Sequence, residues 1–422
     1  MGGKAALIHI IGFGFILGYI STNLSEIAGR SQGNMSTYAA ATESHNLAIT
    51  AANVGLAHLY QDTSWRGTVT QTLSGELEGQ FTYSVTTLPD GRPVLRAISN
   101  YTSGVGLIQD TVEISFGGLL HQSFSLFAWM SDFEGNVFWF TGDTIYGRVH
   151  SNGNLHMTGS PVFMEKVTTA KRLDPKWGRG GNQAVFKHGF ETGVAEIDFP
   201  TDLAPLFTAA AAGGRRYTVD ITVDLYGGTS ANDDGYALVS SGGTVIDSIG
   251  LADPAFNGAI AGTGRVSVKG IVDGRVSIGS STDIYVLDDL HYENRDVSSS
   301  DDILGLVAER NVVVADNIPN RTHCEIDGSI FARTNSFMAE NYNTGSPRGQ
   351  LRVHGSIVQR RRGAVGTFHT GSTSVKTGYS KLYRYDERLE DPNFRPPYYP
   401  GFYRRTYAIS SWWESVHVPE FN

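Results

Sequence analysis

The sequence predicts a mostly β chain of the α+β class, in which one long hydrophobic helix precedes a small antiparallel sheet and a β-solenoid-like domain. Three observations lead to this prediction. Residues 5–20 read AALIHIIGFGFILGYI and carry no full charge. No proline occurs before Pro89, so nothing forces a helix in this region to end early. Fifty glycines against fourteen prolines, with 40% hydrophobic residues, suit a β-rich body with many tight turns.

The first predicted element is a near-continuous helix over residues 4–61, roughly 85 Å long at about 1.5 Å per residue. It is apolar up to Ile20 and amphipathic afterwards. Its sixteen uncharged residues span about 24 Å, less than the ~30 Å hydrocarbon core, so a membrane span would extend towards Ile27 with Lys4 on the cytoplasmic side. A signal peptide is the alternative, but residues 21–23 lack the small-x-small cleavage pattern.

Glycines in this helix fit close helix packing. Gly14 and Gly18 form one small-residue face, and Gly29 and Gly33 form another. Such spacings let helices approach each other where no hydrophobic driving force acts. The alternative is an ordinary single-span anchor in which the glycines are incidental.

The start of the chain resembles a type IV pilin or pseudopilin, and most closely the PilX-like minor pilins. The resemblance rests on a short basic-glycine start, the apolar helix and its amphipathic continuation into β-structure. It implies that a prepilin peptidase cuts after Gly3 and leaves Lys4 as the new amino terminus. The family's glutamate five residues into the mature chain is replaced here by Ile8.

The same resemblance implies a filament core built from the apolar helix. The predicted packing residues are Leu7, Ile8, Ile10, Ile11, Phe13, Gly14, Phe15, Ile16, Leu17, Gly18 and Ile20.

The pattern divides the chain into residues 1–61 as the helix, 62–122 as a pilin-like antiparallel sheet, 123–380 as a solenoid-like domain and 381–422 as a tail. Within the sheet we expect strands at 76–86, 94–102 and 109–116. A turn at 88–91 separates the first two strands, because Pro89 presets φ and Gly91 accepts a positive φ.

From Thr144 onward, short alternating strands meet glycine or asparagine corners, which is typical of stacked β-solenoid rungs. Residues 327–330 (DGSI) and 354–357 (HGSI) are close local copies. The alternative is a β-sandwich of ordinary hairpins. A short helix is expected at 201–212, capped by Asp202 and ended by Gly213 and Gly214.

The aromatic, proline-rich tail is expected to form neither regular strand nor helix and to wrap or cap the solenoid. Two interpretations remain open for its aromatic side chains, including Trp412 and Trp413. Burial against the solenoid is favoured over stacking on sugars or on a neighbouring subunit.

Nothing in the sequence predicts an enzyme, a cofactor or a catalytic residue. His150 and His156 flank an Asn-Gly corner without a third metal ligand, and the run Arg360–Arg361–Arg362 is typical of a solvated face. Residues 232–235 (NDDG) could bind Ca²⁺ through hard oxygens, although a solvated turn is the favoured interpretation. Cys324 is the only cysteine, so no intrachain disulfide can form.

We therefore expect a structural subunit of a type IV pilus-like filament at the cell surface, with its helix in the inner membrane before assembly. Its partners would be copies of itself, the pilus assembly machinery and the prepilin peptidase. The net charge of −9 argues against nucleic acid as a partner. The alternatives are a membrane-anchored adhesin or carbohydrate-active β-solenoid protein, and a minor pseudopilin that primes assembly.

Overall fold

The computed structural model describes residues 2–62, 65–75, 78–88, 92–104, 106–117, 119–173, 183–228, 235–296, 298–369, 374–405 and 408–415. The chain forms two compact units, one of Met1–Leu120 with Arg405–Asn422 and one of His121–Arg404. The second unit is thus an insertion into the first. The predicted fold class is confirmed, because one long helix and a small antiparallel sheet accompany a mostly β remainder.

Helix α1 spans Gly2–Gln61 without interruption, in agreement with the predicted 4–61. Its second half packs on the sheet of the first unit. Leu47 and Leu59 are buried there, and Ala48, Ala51 and Ala52 let the helix approach the strands closely. This half of α1 is therefore fixed by burial within the unit.

The sheet of the first unit has five antiparallel strands. In spatial order they are Gly67–Leu73, Gly79–Thr87, Pro93–Ser103, Gly106–Phe116 and Ile409–Glu414. Every second side chain of a strand faces α1, as Phe81, Tyr83 and Val85 show in the strand Gly79–Thr87. The three strands predicted at 76–86, 94–102 and 109–116 are confirmed within a few residues.

Two expectations about this sheet were wrong or incomplete. The first strand, Gly67–Leu73, was not predicted. The tail, residues 381–422, was expected to lack regular strands. It nevertheless contains the end of the strand Val375–Arg384 and the whole of the strands Gly401–Arg405 and Ile409–Glu414. No proline occurs between Pro400 and Pro419, so the backbone between them is free to pair with the open edge of Gly106–Phe116.

Substituting Leu47→Ala is expected to destabilise the first unit by about 2–5 kcal/mol, because Leu47 is fully buried and its loss leaves a cavity. The exposed Leu24 on the same helix provides the control, and Leu24→Ala should leave the unfolding free energy nearly unchanged. Urea denaturation in detergent measures both values. Equal effects for the two substitutions would contradict this packing.

Three ladders of parallel strands build the second unit. Ladder A contains, in spatial order, Arg215–Tyr217, Ala259–Gly262, Arg275–Ser280, Ile303–Ala308, Cys324–Ala332, Pro347–Arg361, Trp129–Phe133, Val149–Ser151, Val167–Thr169 and Phe190–Thr192. Ladder B contains Ile221–Tyr226, Val266–Val272, Ile284–Tyr292, Val312–Val314 and Phe337–Ala339. Ladder C contains, in spatial order, one end each of Val266–Val272, Ile284–Tyr292, Cys324–Ala332 and Pro347–Arg361. It continues with Val375–Arg384, Thr144–Tyr146, Val162–Phe163 and Val185–Phe186.

Smaller elements complete this unit. They are the antiparallel strands Tyr236–Ser241, Thr244–Gly250 and Gly366–Phe368, and the parallel pair Trp139–Phe140 and Met157–Thr158. Helix α2 (Ala204–Ala212) and the 3-10 helices Phe124–Leu126, Pro319–Arg321 and Glu387–Glu390 also belong to it. The strands Leu119–Ser123 and Gly401–Arg405 form a separate two-stranded sheet.

Long strands turn corners at glycines and so belong to two ladders. The DGSI and HGSI copies lie in register, with Gly328 opposite Gly355. Gly355 has φ 151°, and a Cβ there would lie 2.1 Å from the Gly328 carbonyl oxygen. Only glycine fits this corner. A regular solenoid repeat stays a prediction, because the coils differ in length and carry hairpins.

The order of strands in ladder A differs from their order in the sequence. Ile357, near the end of the unit, pairs with Trp129 near its beginning. The chain therefore enters in the middle of the stack, leaves it at Phe190–Thr192 and re-enters at Arg215–Tyr217. The connecting residues 193–214 must span the stack from one end to the other.

Contacts along this connection show its route. Asn152 accepts a hydrogen bond from the Ile197 backbone (2.9 Å), and Arg333 donates to the Thr201 carbonyl (2.5 Å). Helix α2 then buries Leu206 beside Ala261. The predicted stop of α2 is confirmed, since the Gly213 N–H donates to the Ala209 carbonyl. The predicted cap is displaced by one residue, because Leu203 occupies the N-cap position, although Asp202 still accepts from the Ala204 N–H (2.9 Å).

Candidate functional site

The first half of α1 presents large apolar side chains to the surroundings. We call residues 7–20 the apolar rod. Phe15 is 76% exposed and Ile16 57% exposed. The remaining predicted packing residues are exposed in the same way: Leu7, Ile8, Ile10, Ile11, Phe13, Leu17 and Ile20.

Exposure on this scale requires a covering medium or partner. Burying one side chain of this kind is worth about 1.5–3 kcal/mol relative to water. Among the described residues, α1 is the one helix that is long and apolar enough to cross a membrane, and its apolar part is not buried against the rest of the chain. The rod is therefore suited to a lipid bilayer or to a bundle of similar helices.

The glycines of the rod are open to close approach. A Cβ placed on Gly12, Gly14 or Gly18 would meet nothing within 4 Å, and the same holds for Gly29 and Gly33. These residues have no packing role inside the unit. Gly3 and Lys4, the predicted processing residues, lie exposed in the first turns of α1, and their processing stays a prediction.

The two histidines singled out from the sequence are structural. His150 is buried, and its ring nitrogens bond Thr168 (2.8 Å) and Asn152 (3.0 Å). Burial lowers the pKa of His150 and keeps its ring neutral. His156 lies 5.4 Å from the Phe138 ring. The described part of the chain holds no group of three His, Cys, Asp or Glu side chains placed to bind a metal. The calcium prediction is not tested, because Asn232, Asp233 and Asp234 fall outside the described residues.

The interpretation of the arginine run as a solvated face is wrong for one member. Arg361 is exposed, and Arg360 pairs with Asp132 at 2.6 Å. Arg362 is only 1% exposed and pairs with the equally buried Glu134 at 2.6 Å. Its guanidinium also lies 3.9 Å from the centre of the Trp139 ring. The run passes from the surface into the core of the second unit.

The aromatic tail divides between the two interpretations. Tyr399 and Phe402 are buried in the second unit beside Phe124 and Phe331, as the favoured interpretation expects. Trp412 and Trp413 contradict it, because they are 38% and 57% exposed on the edge strand of the first unit's sheet. The edge strand Ile409–Glu414 is exposed at five of its six residues, so neither of its faces is covered by the core.

Sequence reasoning missed a charged cluster on the outer side of ladder C. His291, Asp327, His354 and Arg384 occupy one register row across four adjacent strands. Asp327 is buried and accepts from Arg295 at 2.7 Å. The only signal in the sequence is that each charged residue occupies an outward position of a period-two strand, and this signal does not show which strands are neighbours.

Raising the pH from about 6.5 to about 9 is expected to destabilise the second unit. The carboxylates of Asp289 and Asp327, whose oxygens lie 3.5 and 3.8 Å from the His291 ring nitrogens, raise the pKa of His291 from 6.5 to about 9. They do so against the effects of burial and of Arg295, whose guanidinium lies 2.7 Å from His291 Nδ1. Glu325, His323 and His354 also lie around these carboxylates. Because the raised pKa belongs to the folded state, the stabilisation is complete below 6.5 and is lost as the pH passes 9.

Urea unfolding at a series of pH values measures this loss. His291→Gln should flatten the profile in that window, whereas His188→Gln, at an exposed histidine, should preserve it. An unchanged profile in His291→Gln would contradict the assignment.

The protein is thus mostly β, and its N-terminal helix exposes an apolar surface. No family model and no curated protein matches the sequence. Among solved structures, the chain is similar to the competence-associated pilin ComZ from Thermus thermophilus, with 12% identity and a TM-score of 0.36 over 89% of this chain and 97% of that chain. A likeness at this level carries no inference about function.

Proposed function

We propose that the chain is a structural subunit of a type IV pilus-like filament, in which the apolar rod packs in the core and the β-rich units lie outside. The observation that carries this proposal is the division of α1 into two halves. Its second half is buried on the sheet, and its first half exposes a continuous run of apolar residues with open glycines.

The proposed assembly has two stages. Before assembly the rod lies in the inner membrane, where its exposed side chains are covered by lipid. During assembly the rod leaves the lipid and packs against rods of neighbouring copies. Lipid tails are as apolar as leucine, so the exchange gains little from hydrophobic burial and depends on close packing. We infer that the step requires an assembly machine, and that a prepilin peptidase acts at Gly3 and Lys4 beforehand.

The double substitution Gly14→Leu/Gly18→Leu is expected to abolish incorporation into filaments while membrane insertion persists. Leucine increases the hydrophobicity of the rod, and a Cβ at either position would meet no described atom within 4 Å, but the larger side chain prevents close approach of a second helix at this face. Gly12→Leu provides the matched control, because 100° per residue places Gly12 on roughly the opposite side of the helix from Gly14. Quantitative immunoblots of sheared surface fibres and of membranes from the native host measure both steps.

Cryo-electron microscopy of the fibres then locates the helix. The proposal requires the chain in the fibres, with residues 7–20 in their core. Fibres that lack the chain, or that contain the double variant at the unsubstituted level, would overturn it.

A further inference from the structure

The outer side of ladder C contains a cleft of about 540 Å³. Ladder strands and the segment that follows Val375–Arg384 line it, and its charged and aromatic residues include Tyr146, Arg295, Glu325, Arg352, Arg384 and Glu387. The volume falls within the range of about 300–1,000 Å³ that is usual for sites of small ligands.

One end of the cleft is neutralised by its own charges. Arg295 pairs with Asp327 at 2.7 Å and with Glu325 at 3.5 Å. His291 lies between Asp289 (3.5 Å) and Glu325 (3.9 Å). The carboxylates at this end therefore already have cationic partners.

Among the described residues, the other end holds two guanidinium groups that form no ion pair with a carboxylate, although Glu325 lies directly opposite one of them, Arg352, in the strand register. Within the described chain, Arg352 bonds only the side-chain amide of Gln350 (2.9 Å), and the Arg384 guanidinium lies 5.5 Å from the centre of the Tyr146 ring. Both arginines are exposed. Arg352 lies opposite Leu382 in the register, so the two arginines are diagonal neighbours about 8 Å apart at the backbone. One anionic group between them is within reach of both.

We propose that this cleft binds an acidic saccharide, with a uronate carboxylate held by Arg352 and Arg384. A planar guanidinium matches a carboxylate with two parallel hydrogen bonds. Glu325 and Glu387 in the same cleft accept hydrogen bonds from sugar hydroxyls, and Tyr146 offers an apolar ring face with a polar tip.

The same acidic residues disfavour nucleic acid. A polyphosphate and a polyuronate each carry one negative charge per monomer, so the net charge of −9 opposes both alike. The phosphodiester backbone of single-stranded DNA, however, has no hydroxyl groups to donate to Glu325 and Glu387. A saccharide with one carboxylate per sugar offers hydroxyls to those glutamates instead. The inference does not depend on filament assembly, because the cleft lies entirely within the second unit.

Titration calorimetry on the full chain in detergent tests the proposal. The probes are a tetramer of α-1,4-linked galacturonate, a tetramer of β-1,4-linked mannuronate, the methyl ester of the better binder and a single-stranded DNA tetramer. We expect at least one uronate tetramer to bind. Arg352→Gln and Arg384→Gln should each weaken binding about ten- to hundredfold, as expected for a lost hydrogen bond between charged groups.

Arg361→Gln is the matched control, because Arg361 is an exposed arginine on the same strand as Arg352 but in ladder A. It should leave the affinity unchanged, and methyl esterification should weaken binding as much as Arg352→Gln does. Urea unfolding of each variant confirms an intact fold. Binding of neither uronate, equal binding of the ester, equal loss in Arg361→Gln, or tighter binding of the DNA would each overturn the proposal.

Discussion

Substituting Ile16→Asp is expected to remove the chain from the membrane. A carboxylate near the centre of a membrane-spanning helix costs about 2.5–3.5 kcal/mol on insertion scales, which lowers partitioning by roughly a hundredfold. Ile16 lies in the middle of the apolar rod and is 57% exposed, so the change disturbs nothing inside the folded unit. Flotation of the protein with liposomes measures the bound fraction.

Ile318→Asp is the control for this experiment. Ile318 is 82% exposed in the second unit, so the same chemical change occurs at a surface position outside the rod. Its bound fraction should match that of the unsubstituted chain. If both variants float equally well, the rod does not provide the membrane attachment.

Substituting Arg362→Met is expected to destabilise the second unit by about 3–5 kcal/mol. Arg362 and Glu134 are each 1% exposed and 2.6 Å apart. Removing one partner of a buried ion pair leaves the other charge without compensation in a medium of low polarity. Urea unfolding, followed by the fluorescence of Trp129 and Trp139 within this unit, measures the loss.

A second substitution separates charge from packing. Glu134→Gln combined with Arg362→Met removes both charges and should recover much of the stability. Arg361→Met, at the exposed neighbour, should stay within about 0.5 kcal/mol of the unsubstituted chain. A double variant no more stable than Arg362→Met would show that the ion pair is not the cause.

Local patterns predict much of this fold. The absence of charge and proline predicts α1, and alternation predicts three strands of the first sheet. The short helix at 204–212 follows from its flanking Asp202 and glycines. These features depend on residues that are close in the sequence, so a single sequence contains the information.

Features that depend on distant pairing could not be predicted. Neither Trp129 nor Ile357 carries a local sign that the two are partners. The cleft was missed for the same reason, because Arg352, Arg384 and Tyr146 come from separate strands. The arginine run was misjudged because solvation cannot be inferred from charge when the partner, Glu134, lies 228 residues away. Processing at Gly3 and Lys4 stays a prediction.

The strand order of ladder A has a consequence for synthesis on the ribosome. Trp129–Phe133 needs Pro347–Arg361 beside it, and at about 5–20 residues per second the nascent chain would expose an unpaired edge for roughly 10–45 seconds. Unpaired strand edges attract other chains. The first coil of this unit therefore cannot complete its pairing until nearly the whole unit has left the ribosome.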